Sequence, residues 1–193
     1  MWFFEELNLW MEEGVYMLSL RSSLEHSGPG PTNIQEKLPN VSVLKLLLYT
    51  NGHAYGTAVL RILEIFSKIQ RIHLNIKRQL FQRYDGICQP KCSCGQLESW
   101  RDQNISLTAL EAVEIENFEG KCFEVDFLKL LFRCAPLMKQ VTLKACPDML
   151  PSVRACKEIS DLFKSHPSVK FNFYDSCGKK VVYERSVFAS RCR

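Results

Sequence analysis

Twice along this chain an apolar frame of the form L-x-x-L-x-L is followed by a second copy 28 residues later. Val41-Ser-Val-Leu44-Lys-Leu46 returns as Ile69-Gln-Arg-Ile72-His-Leu74, and Leu110-Glu-Ala-Val113-Glu-Ile115 returns as Met138-Lys-Gln-Val141-Thr-Leu143. Alternating apolar residues make a strand with one buried face. Each interval also carries a helix-like stretch, so the recurring unit is strand, turn, helix. One such unit cannot bury its own apolar face and must stack on its neighbours.

The helical stretches are legible from their spacing. Val59, Ile62, Leu63 and Phe66 fall at i, i+3, i+4, i+7 after the Asn51-Gly52 turn. Leu128, Leu131, Cys134 and Ala135 form a second stripe after the turn at Phe118-Glu-Gly120, and Pro136 stops it. A third stripe is Val153, Cys156, Ile159, Leu162 and Phe163, with Ser152 as N-cap and Pro167 as the stop. The alternating strand Val169-Lys-Phe171-Asn-Phe173 follows, its register against the 28-residue frame open by two or three residues. This period and pattern predict an α/β leucine-rich-repeat solenoid with a mostly parallel sheet and helices on the other face.

Four regions are expected. Residues 1–26 contain the frames Phe4-Glu-Glu-Leu7-Asn-Leu9 and Val15-Tyr-Met-Leu18-Ser-Leu20, too close together to be two repeats. They read as a hairpin turning at Glu12-Glu13-Gly14, or as one repeat strand after a ragged start. Residues 27–96 are a repeat region entered through the Ser27-Gly-Pro-Gly-Pro31 loop and holding an inserted, Cys-rich loop at 78–96. Residues 97–177 form a second repeat region, and 178–193 a basic, solvated tail.

With 46% hydrophobic and 24% charged residues in 193, the composition is that of a globular chain. A net charge of +4, much of it in the tail, is too small to argue for nucleic acid. The first residues lack the basic start of a signal peptide, and no apolar run approaches the ~20 residues of a membrane helix. The expectation is a cytoplasmic or nuclear protein with no membrane partner, its nine cysteines reduced.

Residues 97–175 resemble the C-terminal module of plant F-box proteins of the leucine-rich-repeat and FBD type. The stretches that carry the resemblance run from Trp100-Arg-Asp-Gln-Asn through Glu119-Gly120, and from Phe123-Glu-Val-Asp-Phe through Val141-Thr-Leu143. The likeness is specific there and diffuse over 30–80. It implies an FBD-like C-terminal cap and a role in substrate recognition. In that family an F-box docks the Skp–cullin ubiquitin ligase while repeats and FBD module hold the protein to be ubiquitylated. Leu38-Pro39 offers the pair with which an F-box opens, yet a strand follows it here. A Skp-type adaptor is therefore expected to bind only if an F-box is supplied elsewhere.

Candidate chemistry is sparse. Cys88, Cys92 and Cys94 could fill three of zinc's four tetrahedral positions, but no fourth Cys or His completes the set, so free loop cysteines are expected. Cys146 stands where leucine-rich repeats carry Asn or Cys to turn the chain out of the strand, and Cys122, Cys134 and Cys156 read as small core residues. His26, His53, His73 and His166 have no nucleophile motif beside them, and Gly28-Pro-Gly30 lacks the context of a phosphate loop, so neither catalytic nor cofactor-binding residues are expected. The residues between the frame leucines are the candidates for binding a protein target. They are Val43, Lys45 and Leu47; Arg71, His73 and Asn75; Ala112, Glu114 and Glu116; Gln140, Thr142 and Lys144. Strand alternation points them away from the core. The competing reading is a solvated sheet face whose charges pair across strands, Glu116 with Lys144 for example. Two rival functions are a stand-alone repeat scaffold without a ligase role and, from another class, a small zinc-binding or hydrolytic protein.

Overall fold

The computed structural model describes residues 3–12, 15–23, 41–49, 55–66, 68–77, 98–147 and 151–181. The 27–31 loop, the Asn51-Gly52 turn, His26, His53, the loop with Cys88, Cys92 and Cys94, and the tail after 181 lie outside them. Among the described residues the fold is α/β, built on one sheet whose strands follow chain order: β1 Phe3–Glu12, β2 Val15–Ser23, β3 Val43–Tyr49, β4 Arg71–Lys77, β5 Ala112–Phe118, β6 Gln140–Ala145, β7 Lys170–Tyr174 and β8 Lys180–Val181. From β2 to β7 every neighbour is parallel, and β1 and β8 close the two edges antiparallel. Helices α1 Gly56–Ile65, α2 Cys122–Cys134 and α3 Val153–Lys164 lie between β3 and β4, β5 and β6, and β6 and β7.

The 28-residue frame becomes register. Leu44, Ile72, Val113 and Val141 stand opposite one another across four strands, as do Leu46, Leu74, Ile115 and Leu143. All eight are 0–2% exposed. Strand starts repeat as well: the N–H groups of Gln70 and Arg71 both donate to the Ser42 carbonyl, those of Glu111 and Ala112 to Gln70, and those of Lys139 and Gln140 to Glu111. Shared carbonyl acceptors of this kind hold successive strands level, so the side chains line up in rows. β4 and β5 keep this register across the long insertion between them, at whose end Trp100 is buried against α1; a Cβ on Gly56 would sit 2.8 Å from its ring.

Leu18 stands opposite Leu46, again 28 residues on, and only at the C-terminal end does the interval slip by two, where Phe171 and Phe173 oppose Val141 and Leu143 after 30 residues. A shift of two preserves the face, because side chains alternate with period two. The N-terminal frames form the hairpin, with Glu12 paired to Val15. β8 takes Lys180 and Val181 out of the stretch read as a solvated tail.

The helices cover one face. Val59, Ile62, Leu63 and Phe66 of the first stripe are buried, as are Leu128, Leu131, Cys134 and Ala135 of the second. α2 packs between α1 and α3 and is buried on most of its circumference. α3 starts on its expected cap, with the Ser152 hydroxyl accepting from the Ala155 N–H at 3.1 Å, and it buries Cys156, Ile159 and Phe163. Two positions correct the sequence reading. Val153, placed in the third stripe, is 52% exposed, and Cys122, read as core, is exposed. Each is the first residue of its helix, where the chain has not yet turned its apolar face onto the layer below. A third correction concerns the thiols: Cys156 is disulfide-bonded, while Cys122, Cys134, Cys146 and Cys177 are free. Spacing along the chain says nothing of which sulfur atoms the fold brings within bonding distance.

Gly120, just before α2, packs closely against Pro151, just before α3. Its φ of +70° suits glycine, and a Cβ there would come within 2.5 Å of the Pro151 side chain. Cys146 leaves β6 as expected, buried, its N–H donating to the Phe118 carbonyl at 2.9 Å. Among the described residues no helix is long and apolar enough to cross a membrane.

Candidate functional site: the open face of the sheet

Opposite the helices the sheet carries the residues between the frame positions, and the register arranges them in three rows. Val43, Arg71, Ala112, Gln140 and Lys170 form the first row; Lys45, His73, Glu114, Thr142 and Asn172 the second; Leu47, Asn75, Glu116, Lys144 and Tyr174 the third. Lys45 and Arg71 are exposed and most of the others half-buried. Thr142 lies on this face as expected but is only 7% exposed, and Gln140 and Asn172 both donate to its hydroxyl at 3.3 Å.

The charged centre is a cross-strand network. Lys144 Nζ lies 2.6 Å from Glu114 Oε1 and 2.7 Å from Glu116 Oε1. Asn75 Nδ2 donates to Glu116 Oε2 at 2.8 Å, and His73 Nε2 approaches the same oxygen at 3.4 Å. Partial burial alone would raise the Glu116 carboxyl, but the Lys144 hydrogen bond and the charges of His73 and Lys144 outweigh it and hold the group below the ordinary glutamate value. The two glutamates in turn push the Lys144 ammonium up. His73, Glu114 and Glu116 offer three ligand atoms within 4.8 Å of one another, a spacing that suits a metal ion, and the Lys144 ammonium bridges the two carboxylates.

Beyond the third row, at the C-terminal ends of the strands, an open groove of about 610 Å³ is lined by Asn75, Lys77, Glu116, Asn117, Lys144, Pro147, Tyr174 and Asp175 among others. Asn117 builds its floor. It sits at φ 59° where the β5 register shifts, and its Nδ2 donates to the Ile76 carbonyl at 2.9 Å and to Asn75 Oδ1 at 3.2 Å. Asparagine tolerates that left-handed backbone better than other residues with a Cβ.

Of the twelve candidate binders read from the sequence, nine are polar, Lys45, Arg71, His73, Asn75, Glu114, Glu116, Gln140, Thr142 and Lys144, and the fold brings these and the apolar Val43, Leu47 and Ala112 to this face. The sequence reading missed Lys170, Asn172 and Tyr174, whose rows depend on the two-residue slip of β7, and Asn117, whose only signal was an Asn-Phe-Glu-Gly run ending in a turn.

A second polar cluster lies under the helices. Glu124, 1% exposed, reaches back from the first turn of α2 to accept from the N–H groups of Glu119 at 3.0 Å and Lys121 at 2.9 Å. Lys121 Nζ holds Glu119 Oε2 at 2.8 Å. Burial raises the Glu124 carboxyl to about 7, assisted by the Glu119 charge and opposed by the two backbone donors. Tyr55 is packed edge-on against Phe123 and Phe127, its hydroxyl without a hydrogen-bond partner among the described residues, and burial with the Glu124 and Glu119 charges pushes its phenol up.

No protein-family model, no curated protein and no solved structure matches the chain.

Proposed function

We propose that this chain is a leucine-rich-repeat solenoid closed by FBD-like strands, and that it recognises a protein target through the open face of its sheet. On this reading it is the target-binding part of an F-box type ubiquitin-ligase receptor, working by recognition and not by catalysis, in the cytoplasm or nucleus. A Skp-type adaptor joins only through an F-box supplied elsewhere. The observation that supports the reading is the in-register alignment of four strands at matching frame positions, which, among the described residues, leaves one sheet face without helices and sorts its polar side chains into rows. A sheet face of fixed register presents many side chains at set spacings, which suits a protein surface better than a small substrate.

Proximity labelling in plant cells tests this. A chain carrying His73→Ala, Glu116→Ala and Lys144→Ala should lose a defined set of neighbours that a chain altered on the exposed helix side at Arg61 and Lys157 retains. An identical neighbour set for both chains would rule out the open face as the recognition surface. Skp-dependent ubiquitylation of the lost neighbours separates a ligase receptor from a stand-alone scaffold.

A further inference from the structure

The three rows are not electrically alike. On the open side of β3 to β7, five cations, Lys45, Arg71, Lys77, Lys144 and Lys170, stand with two carboxylates, Glu114 and Glu116. Lys144 alone engages both carboxylates. Lys45, Arg71, Lys77 and Lys170 have no ion-pair partner among the described residues, and all four are exposed. The five residues of the first row include no acid: after Val43, Arg71 and Lys170 stand three strands apart with the small Ala112 and the neutral Gln140 between them. The nearest carboxylate below the row, Glu111, is held by Lys139 at 2.7 Å.

We propose that this row docks an acidic segment of the partner protein, laid across the strands in extended form. The proposal rests on the reading of the open face as a recognition surface and names the chemistry of what binds there. Three strand spacings separate Arg71 from Lys170, roughly 14 Å at ~4.8 Å per strand. An extended chain covers that distance in about four residues at ~3.3 Å each, so carboxylates at i and i+4, which share a face, meet one cation each. Ala112 leaves room for the backbone to approach, and the half-buried Gln140 offers it an amide. Lys144 offsets one of the two carboxylate charges of Glu114 and Glu116, which lie one and two rows away from the segment. A nucleic acid is a poorer fit, since the row offers two free cations and no aromatic ring on which a base could stack.

Fluorescence anisotropy on the full chain tests the proposal. The probe is a labelled Gly/Ser peptide of about a dozen residues with Glu at every fourth position; the same peptide with Lys replacing Glu, and a single-stranded oligonucleotide, serve as comparisons. The acidic peptide should bind more tightly than either, and Arg71→Glu with Lys170→Glu should weaken it roughly tenfold, the scale of two exposed charge contacts. Arg61→Glu with Lys157→Glu, an equal charge change on the helix side, should leave it unaltered. Equal weakening by both double variants, or tighter binding of the oligonucleotide, would overturn the proposal. If instead the Lys peptide binds and is released by Glu114→Gln with Glu116→Gln, the open face survives as a recognition surface and its assignment to an acidic segment fails. No binding of either peptide, together with an unchanged neighbour set in the labelling experiment, removes both readings.

Discussion

Two glutamates on opposite sides of the sheet show how differently its faces are built. Glu116, on the open side, is surrounded by Lys144, His73 and Asn75, and its carboxyl is held low despite partial burial. Glu124, in the helix layer, meets two backbone N–H groups and the like charge of Glu119, and burial carries it to about 7. Burial penalises the ionised form in both; the difference is whether a cation stands close enough to outweigh that penalty. The covered face has little freedom to change, because its residues fill a packed layer. The open face keeps polar groups whose partners can be exchanged.

Breaking the covered face should have the largest effect. Val141→Asp places a carboxylate at a position 1% exposed with apolar neighbours Val113 and Phe171. A loss of roughly 3–5 kcal/mol is expected, measured by urea denaturation. Unchanged stability would refute the in-register stacking of β5, β6 and β7.

The Glu124 carboxyl gives the next largest effect, and its sign is unusual for an acid. Its folded value of about 7 lies above the ordinary 4.5, so between those values the folded state binds the proton more tightly than the unfolded chain. Its contribution is therefore fully present below 4.5 and is lost as pH rises through about 7, to a total of about 3 kcal/mol at ~1.4 kcal/mol per pH unit of displacement. Glu124→Gln should flatten this part of the stability–pH curve. A wild-type curve that rises steadily from pH 5 to 7 would contradict the assignment.

On the open face the effects should be smaller and of opposite sign. Glu116 is held low, so its contribution is present above the ordinary glutamate value and fades as pH falls. Because the Lys144 partner is 42% exposed, Lys144→Met should cost about 1 kcal/mol or less, read from the urea midpoint. A cost as large as that of Val141→Asp would mean that the network is structural and not an exchangeable surface. Smallest of all, Val153→Ser at an exposed helix start should stay within ~0.5 kcal/mol.

Much of this organisation was legible in the chain itself. A strand alternates with period two and a helix returns every 3.6 residues, so Leu44 to Leu143 and Val59 to Phe66 announce both element and buried side. The fixed interval then implies that equal positions meet, which carried all twelve candidate binders to one face. The frame failed where a one-dimensional pattern has no purchase. Val153 and Cys122 belong to apolar residue types, yet only the layer beneath decides whether the first residue of a helix is covered.

What the sequence by itself determined is the periodic part: which residues are apolar, at what interval, and hence that a mostly parallel sheet with one helix-covered side is the way to bury them. Only the tertiary structure decided the rest. It chose the two-residue slip that brings Lys170, Asn172 and Tyr174 into the rows, the paired state of Cys156, and the opposite shifts of Glu116 and Glu124. The physical reason is range. Periodicity reflects the geometry of neighbouring peptide units, whereas a charge, a thiol or a strand edge responds to whatever distant part of the chain the fold places within a few ångströms.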